Sequence, residues 1–245
     1  MEVSITGAKI YYVIPGINYP ITQTVVNAWI AMVVIVGLCI WLTRGMQVHA
    51  RTKRQVVAEM IVQMAQKLVR GNMGAKWDSF VPFIAAILSM SVVSSLMGLT
   101  GAYSPTNDLN TFLAWGILVF VLITYHKIKA NGFGGYLKGF TEPIFVMTPM
   151  NIISEIATPV SMSLRHFANI CSGYVIGLLL YAALGAVSQI IFFWLPGSLG
   201  TIPFLQVGIP DVLNVYFSVF SGCVQPYIFC MLTMQFVAQA AGTEE

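Results

Sequence analysis

The sequence predicts an all-α membrane protein: five membrane-crossing helices plus one amphipathic helix on the membrane surface, the last two crossings forming a long, strongly tilted hairpin. Three observations carry that prediction. Of 245 residues, 57% are hydrophobic and only 9% are charged, against roughly 25% charged in an ordinary soluble domain. The apolar residues fall in runs long enough to cross a hydrocarbon core of about 30 Å, which takes roughly 20 helical residues. The basic residues, finally, collect in alternate connections. The chain reads as a single integral membrane domain over residues 1–245, with an outer segment at 1–23, a cytoplasmic amphipathic helix and loop at 44–79, and a helical hairpin at 151–240.

The first crossing is predicted over 24–43. The segment before it, MEVSITGAKIYYVIPGINYPITQ, has neither the basic start nor the small-residue cleavage site of a signal peptide, so the crossing is read as retained. Between the first two crossings, Val56, Val57, Met60, Ile61, Met64 and Leu68 recur at helical spacing, opposed by Arg51, Arg54, Glu59, Gln63 and Arg70. That pattern predicts a helix lying on the membrane surface, in contact with lipid. The second and third crossings are predicted over 80–101 and 109–128, and the last two within 151–194 and 210–240.

Lys and Arg are retained on the cytoplasmic side of short connections. Residues 44–79 carry Arg44, Arg51, Lys53, Arg54, Lys67, Arg70 and Lys76, and residues 127–150 carry Lys127, Lys129 and Lys138, whereas the loops 102–108 and 195–209 carry none. With five crossings the N-terminus is expected outside and the C-terminus in the cytoplasm, in a bacterial plasma membrane. Cys39, Cys171, Cys223 and Cys230 all lie in apolar runs, where free cysteine acts as a small hydrophobe. No metal site or cofactor is expected, and a net charge of +3 gives no reason to expect a nucleic acid.

The run 151–194, as one helix, would be about 66 Å long, twice the core thickness. It must therefore tilt by about 60° or bend, with Pro159 and Gly173 as the places to bend. At 100° per residue, Thr158, Ser161, Arg165, Asn169 and Ser172 fall within about 40° of one direction, with Glu155 at the margin of that stripe. On the last crossing Asp211, Asn214, Ser218, Ser221 and Gln225 align likewise. Two polar tracks entering from opposite membrane faces, with an arginine between them, describe two half-paths for an ion. Such residues also join membrane helices, at roughly 0.6 kcal/mol a contact.

Arg165 is the residue that most needs explaining. At mid-bilayer it costs from about 2.5 to 17 kcal/mol depending on the reference, and positions 161, 162, 168 and 169 are Ser, Met, Ala and Asn, none of them acidic. Arginine does not deprotonate in proteins, so it is no proton relay. It holds a fixed positive charge, whose partner is expected on a substrate or another subunit. An anion-clamping secondary transporter is the alternative, although the sequence lacks the matching halves typical of many transporters. An intramembrane enzyme is disfavoured by the absence of HExxH, GxSxG and paired intramembrane aspartates.

At these residues the chain resembles the a subunit, or subunit 6, of F-type ATP synthases. That family's arginine signature reads approximately P-[VI]-S-L-S-L-R-L-F-G-N, against PVSMSLRHFAN at 159–169. VQPYIF at 224–229 is similar to the family's glutamine context and puts Gln225 in that place; residues 80–120, with SPTNDLN, resemble the family's third and fourth helices. The resemblance implies a stator against a rotating ring of c subunits, each bringing a membrane carboxylate to Arg165. Asn169 and Gln225 would line the transfer site, and the peripheral-stalk b subunit would be a further partner. The translocated ion would be a proton, with sodium as the alternative. This chain departs from the family at His166, which stands where leucine is usual and is expected to face a neighbouring helix. It departs also at Tyr174 and Ser218, where members often carry Glu or His. The outer path is then expected to be lined by hydroxyls and amides, with Asp211 at its mouth.

Overall fold

A computed structural model describes residues 9–16, 19–47, 52–99, 103–141, 145–192 and 209–242. Its order is β1 (Ile10–Ile14), β2 (Tyr19–Thr22), α1 (Gln23–Thr43), α2 (Lys53–Met73), α3 (Val81–Leu99), α4 (Leu109–Gly139), α5 (Thr148–Phe192) and α6 (Ile209–Ala240). Among the described residues, four helices, Gln23–Thr43, Ala75–Gly98, Leu109–Gly139 and Phe145–Ser188, are long and apolar enough to cross a membrane. The protein is accordingly an all-α membrane protein in its body.

The short antiparallel hairpin β1–β2 was not expected from the sequence. Its chemistry is ordinary: a run of Ile, Tyr and Val favours extended backbone, and Pro15-Gly16 turns the chain, Gly16 sitting at φ 116. The backbone N–H of Gln23 donates to the carbonyl of Lys9 at 2.8 Å, so the hairpin runs straight into α1. On α1 the buried positions are Thr24, Asn27 and Ala31, one helical face, while Trp29, Val33, Val36, Ile40 and Trp41 are exposed. A soluble helix would show the reverse. Here small and polar side chains join the helix to its neighbours and the large apolar ones are left for lipid.

Helix α2 forms where the periodicity places it and ends at Gly74, whose φ of 85 breaks the helix while its N–H donates to the Arg70 carbonyl. Val69 and Met73 anchor its C-terminal end in the core, whereas Val56, Val57, Met60, Ile61 and Met64 stay exposed as one apolar stripe. Just beyond, Asp78 receives both Nε and Nη2 of Arg70, at 2.7 and 2.6 Å.

Helix α4 continues to Gly139, eleven residues past the crossing predicted from hydropathy, by bending at Gly132 (φ 71, ψ 166). The extension is polar, so hydropathy does not register it. Helix α5 is one helix of 45 residues that passes through both Pro159 and Gly173, about 68 Å at 1.5 Å per residue.

The core gathers around the C-terminal half of α6. Phe229, Cys230, Met234 and Val237 pack with Val69 and Met73 of α2, Ile84 of α3, Val119 and Ile123 of α4, and Met162 of α5. Two glycines set how closely the helices approach. A Cβ on Gly116 would stand 2.1 Å from Ser163 Oγ and 3.0 Å from the Pro159 carbonyl, and a Cβ on Gly222 would stand 2.8 Å from Ser95 Cβ. The first contact fixes α5 on α4; the second fixes α6 on α3.

Candidate ion-translocation site

Helix α5 presents two faces of opposite character. Pro159, Met162, Ser163 and His166 are buried, and Ser163 Oγ donates to the Pro159 carbonyl at 2.9 Å. His166 stacks on Phe112 of α4, ring centroids 4.1 Å apart, and meets Phe229 of α6 edge-on at 6.3 Å. The expectation that His166 faces a neighbouring helix therefore agrees with its position. The other face carries Ser161, Arg165, Asn169 and Ser172, all exposed, with Thr158 half-buried.

Arg165 is thus not enclosed by its own chain. Two ion pairs form among the described residues, Arg70–Asp78 and Lys127–Glu155, and neither involves it. A groove of about 300 Å³ runs beside it, lined on α5 by Ser154, Thr158 and Ser161 and on α6 by Leu232 and Phe236. Within the groove the Thr158 hydroxyl donates to the Ser154 carbonyl at 2.8 Å, which keeps that hydroxyl on its own helix. One turn beyond Arg165, the Asn169 amide donates to Gln225 Oε1 at 3.2 Å, joining α5 to α6 at a glutamine that is almost entirely buried.

The structure brings together most of the inner residues selected from sequence. Thr158, Ser161 and Arg165 share one groove, and Asn169 and Gln225 share one hydrogen bond. Glu155 lines an adjoining cavity of about 410 Å³ and is paired with Lys127 of α4. Ser172 lies farther along α5, outside the groove. Asp211, Asn214, Ser218 and Ser221 fall within the range of α6, but their side chains, like that of Tyr174, lie outside the described residues. No group of three or more His, Cys, Asp or Glu suited to a metal occurs among the described residues.

Two features escaped the sequence reading. One is the Lys127 partner of Glu155, 28 residues away; its signal was a pair of opposite charges near the same ends of consecutive crossings. The other is a buried polar seam between α1, α3 and the 103–108 turn. There Asn27 Nδ2 donates to the Tyr103 carbonyl at 2.6 Å, Ser104 Oγ to the Ser94 carbonyl at 2.5 Å, and the hydroxyls of Ser104 and Thr106 lie 2.6 Å apart. Ser91, Ser94 and Ser95 in an otherwise apolar helix were the available sign.

Residues 25–238 match the sequence profile of the family described as ATP synthase A chain. The chain belongs to the ATP synthase subunit a family. Its similarity to other members extends over most of the chain. It is 31% identical over 236 residues to ATP synthase subunit a of Desulforamulus reducens, covering 96% of this chain and 84% of that one. It is 31% identical over 228 residues to ATP synthase subunit a 1 of Prosthecochloris aestuarii, covering 92% of each. The protein named ATP synthase subunit a, sodium ion specific, of Propionigenium modestum is 29% identical over 244 residues, covering 93% of this chain and 77% of that one. As a member of the subunit a family, the chain is a multi-pass membrane protein that serves ion transport in the membrane sector of ATP synthase, as the stator against which the rotor turns. The anion-clamping transporter is set aside.

Proposed function

We propose that the open face of α5 is where the ion is transferred between stator and rotor. Arg165 stands on that face opposite a ring of c subunits, and each passing c-subunit carboxylate is its counter-charge in turn. The observation that carries this reading is an arginine in the middle of a membrane helix with no acidic partner among the described residues, on a face exposing Ser161, Asn169 and Ser172. The fixed positive charge favours the ionised carboxylate, so an ion held by that carboxylate is released as it reaches Arg165. The same charge bars an ion from passing directly between the two half-paths. Moving one elementary charge through 100 mV supplies about 2.3 kcal/mol, and offset half-paths convert that work into rotation of the ring.

The groove of Thr158 and Ser161, continued by the cavity at Glu155, is the cytoplasmic half-path. The outer half-path follows α6 by way of Asp211, Asn214, Ser218 and Ser221 toward Gln225, and the Asn169–Gln225 hydrogen bond closes the two helices together beside the arginine. Helix α6 is the fifth crossing, α2 lies on the cytoplasmic membrane surface with its exposed apolar stripe in lipid, the N-terminus is outside, and the C-terminus is cytoplasmic. The peripheral-stalk b subunit is a second protein partner. The coupling ion is the proton. Sodium is the second reading, favoured by the likeness to a sodium-specific relative and by an outer path of hydroxyl, amide and carboxylate oxygens, ligands that suit a hard cation.

ATP-driven ion uptake into inverted vesicles containing the whole complex tests the proposal. Arg165→Ala is expected to lower uptake at least 100-fold with the complex assembled; undiminished uptake would remove Arg165 from the transfer step. Uptake indifferent to sodium over the millimolar range would remove the sodium reading.

A further inference from the structure

Glu155 and Lys127 meet in the cavity that adjoins the groove beside Arg165. Ser154 lines both, the groove beside Arg165 and the larger cavity bounded by Lys127, Glu155, Tyr136 and Gln239. Glu155 shows only 13% of its side chain to solvent and Lys127 33%. One carboxylate oxygen, Oε2, takes the Lys127 ammonium. The other, Oε1, is buried with no hydrogen-bond partner, an unused acceptor one residue from Ser154, which lines both cavities. A carboxylate so enclosed is costly to keep ionised without an opposite charge close by, and no other cation among the described residues lines its cavity. The elements packed on α5 are α4, α6 and the short turns 105–107 and 145–147. Of these, α4 puts Lys127 and Tyr136 against Glu155, α6 puts uncharged Gln239, and the turns carry no titratable group among the described residues. His126 turns the other way, onto Trp77, and Lys129 and Lys138 line neither cavity. Arg165 lies ten residues along the same helix, about 15 Å away.

We infer that Lys127 is a positioning residue for ion transfer: it fixes the Glu155 carboxylate in the cavity that adjoins the groove, with Oε1 as the acceptor for the ion that passes between them. This rests on the reading of the groove as the cytoplasmic half-path, and goes beyond it by giving the half-path a fixed acceptor and naming the residue that tunes it. Removing the ammonium leaves the enclosed carboxylate without its opposite charge.

The test is the pH profile of ATP-driven proton uptake by the assembled complex in inverted vesicles, with Lys127→Gln, Lys127→Arg, Glu155→Gln and the double Lys127→Gln/Glu155→Gln. Lys127→Gln is expected to move the acid limb of the profile upward and Lys127→Arg to leave it in place. Glu155→Gln is expected to abolish that limb, so that adding Lys127→Gln in that background changes nothing further. An unmoved limb in Lys127→Gln, a limb unchanged by Glu155→Gln, or an equal shift in both backgrounds would overturn the inference. If Lys127→Gln depletes the assembled complex, restored assembly in the double variant supports a carboxylate stranded without its partner, and unrestored assembly overturns it. Arg165→Ala measured alongside separates the two claims, because it reports on the transfer site whether or not Lys127 matters.

Discussion

Arg165 and His166 are neighbours in sequence, and the structure treats them in opposite ways. His166 is enclosed between Phe112 and Phe229 on the packed face of α5, while Arg165 stands on the open face with no ion-pair partner among the described residues. A histidine, which could carry protons, has been put into the packing, and an arginine, which cannot, has been put on the working face. The difference teaches that titration is not what the working face supplies. It supplies a fixed charge, and the titrating group has to arrive on something else.

Variants sharpen that contrast when they act on one face at a time. Beyond loss of uptake in Arg165→Ala, the largest effect is expected from closing the packed face: Gly116→Val drives side-chain atoms into Ser163 and the Pro159 carbonyl. Overpacking of this kind costs about 1–3 kcal/mol, read as a lower thermal midpoint and a smaller yield of assembled complex. Gly222→Val should do the same to the α3–α6 contact at Ser95. A smaller effect is expected from Asn169→Ala, which removes the hydrogen bond to Gln225 and with it about 0.6 kcal/mol of helix association; the midpoint should fall slightly while uptake falls several-fold, because this pair borders the working face. His166→Met puts an apolar side chain of similar length in the same packed space and removes the Nδ1 that lacks a partner, so stability should hold and uptake should be unchanged. Loss of uptake in His166→Met would break the comparison by giving the packed face a chemical role. Smallest of all, Asp78→Asn takes away an ion pair that both partners leave largely exposed. Screened pairs of this kind contribute little, and no measurable shift of the midpoint is expected.

Much of this was legible in the sequence because a bilayer imposes simple rules. The runs at 24–43 and 80–101 become α1 and α3 almost residue for residue, since few other structures satisfy the backbone in hydrocarbon. The stripe through Thr158, Ser161 and Arg165 was readable from helical periodicity alone, and those three side chains line one groove. What escaped lies where those rules stop. The polar continuation of α4 past residue 128 and the β1–β2 hairpin before α1 carry no hydropathy signal for a crossing. The Lys127–Glu155 pair depends on how α4 and α5 pack, which two charges 28 residues apart do not reveal. The depth of Arg165 was also ambiguous: sequence places it inside the membrane, and only the packing of α4, α5 and α6 leaves it outside the protein.

The central claim is that the open face of α5 meets the moving partner and the packed face does not. In a background lacking Cys39, Cys171, Cys223 and Cys230, single Ser161→Cys and Ser163→Cys variants of the assembled complex would carry a thiol-attached photo-cross-linker. The account predicts adducts with a ring subunit from position 161, which is exposed, and none from position 163, which is buried against α4. Adducts with the ring from 163 and none from 161 would contradict it.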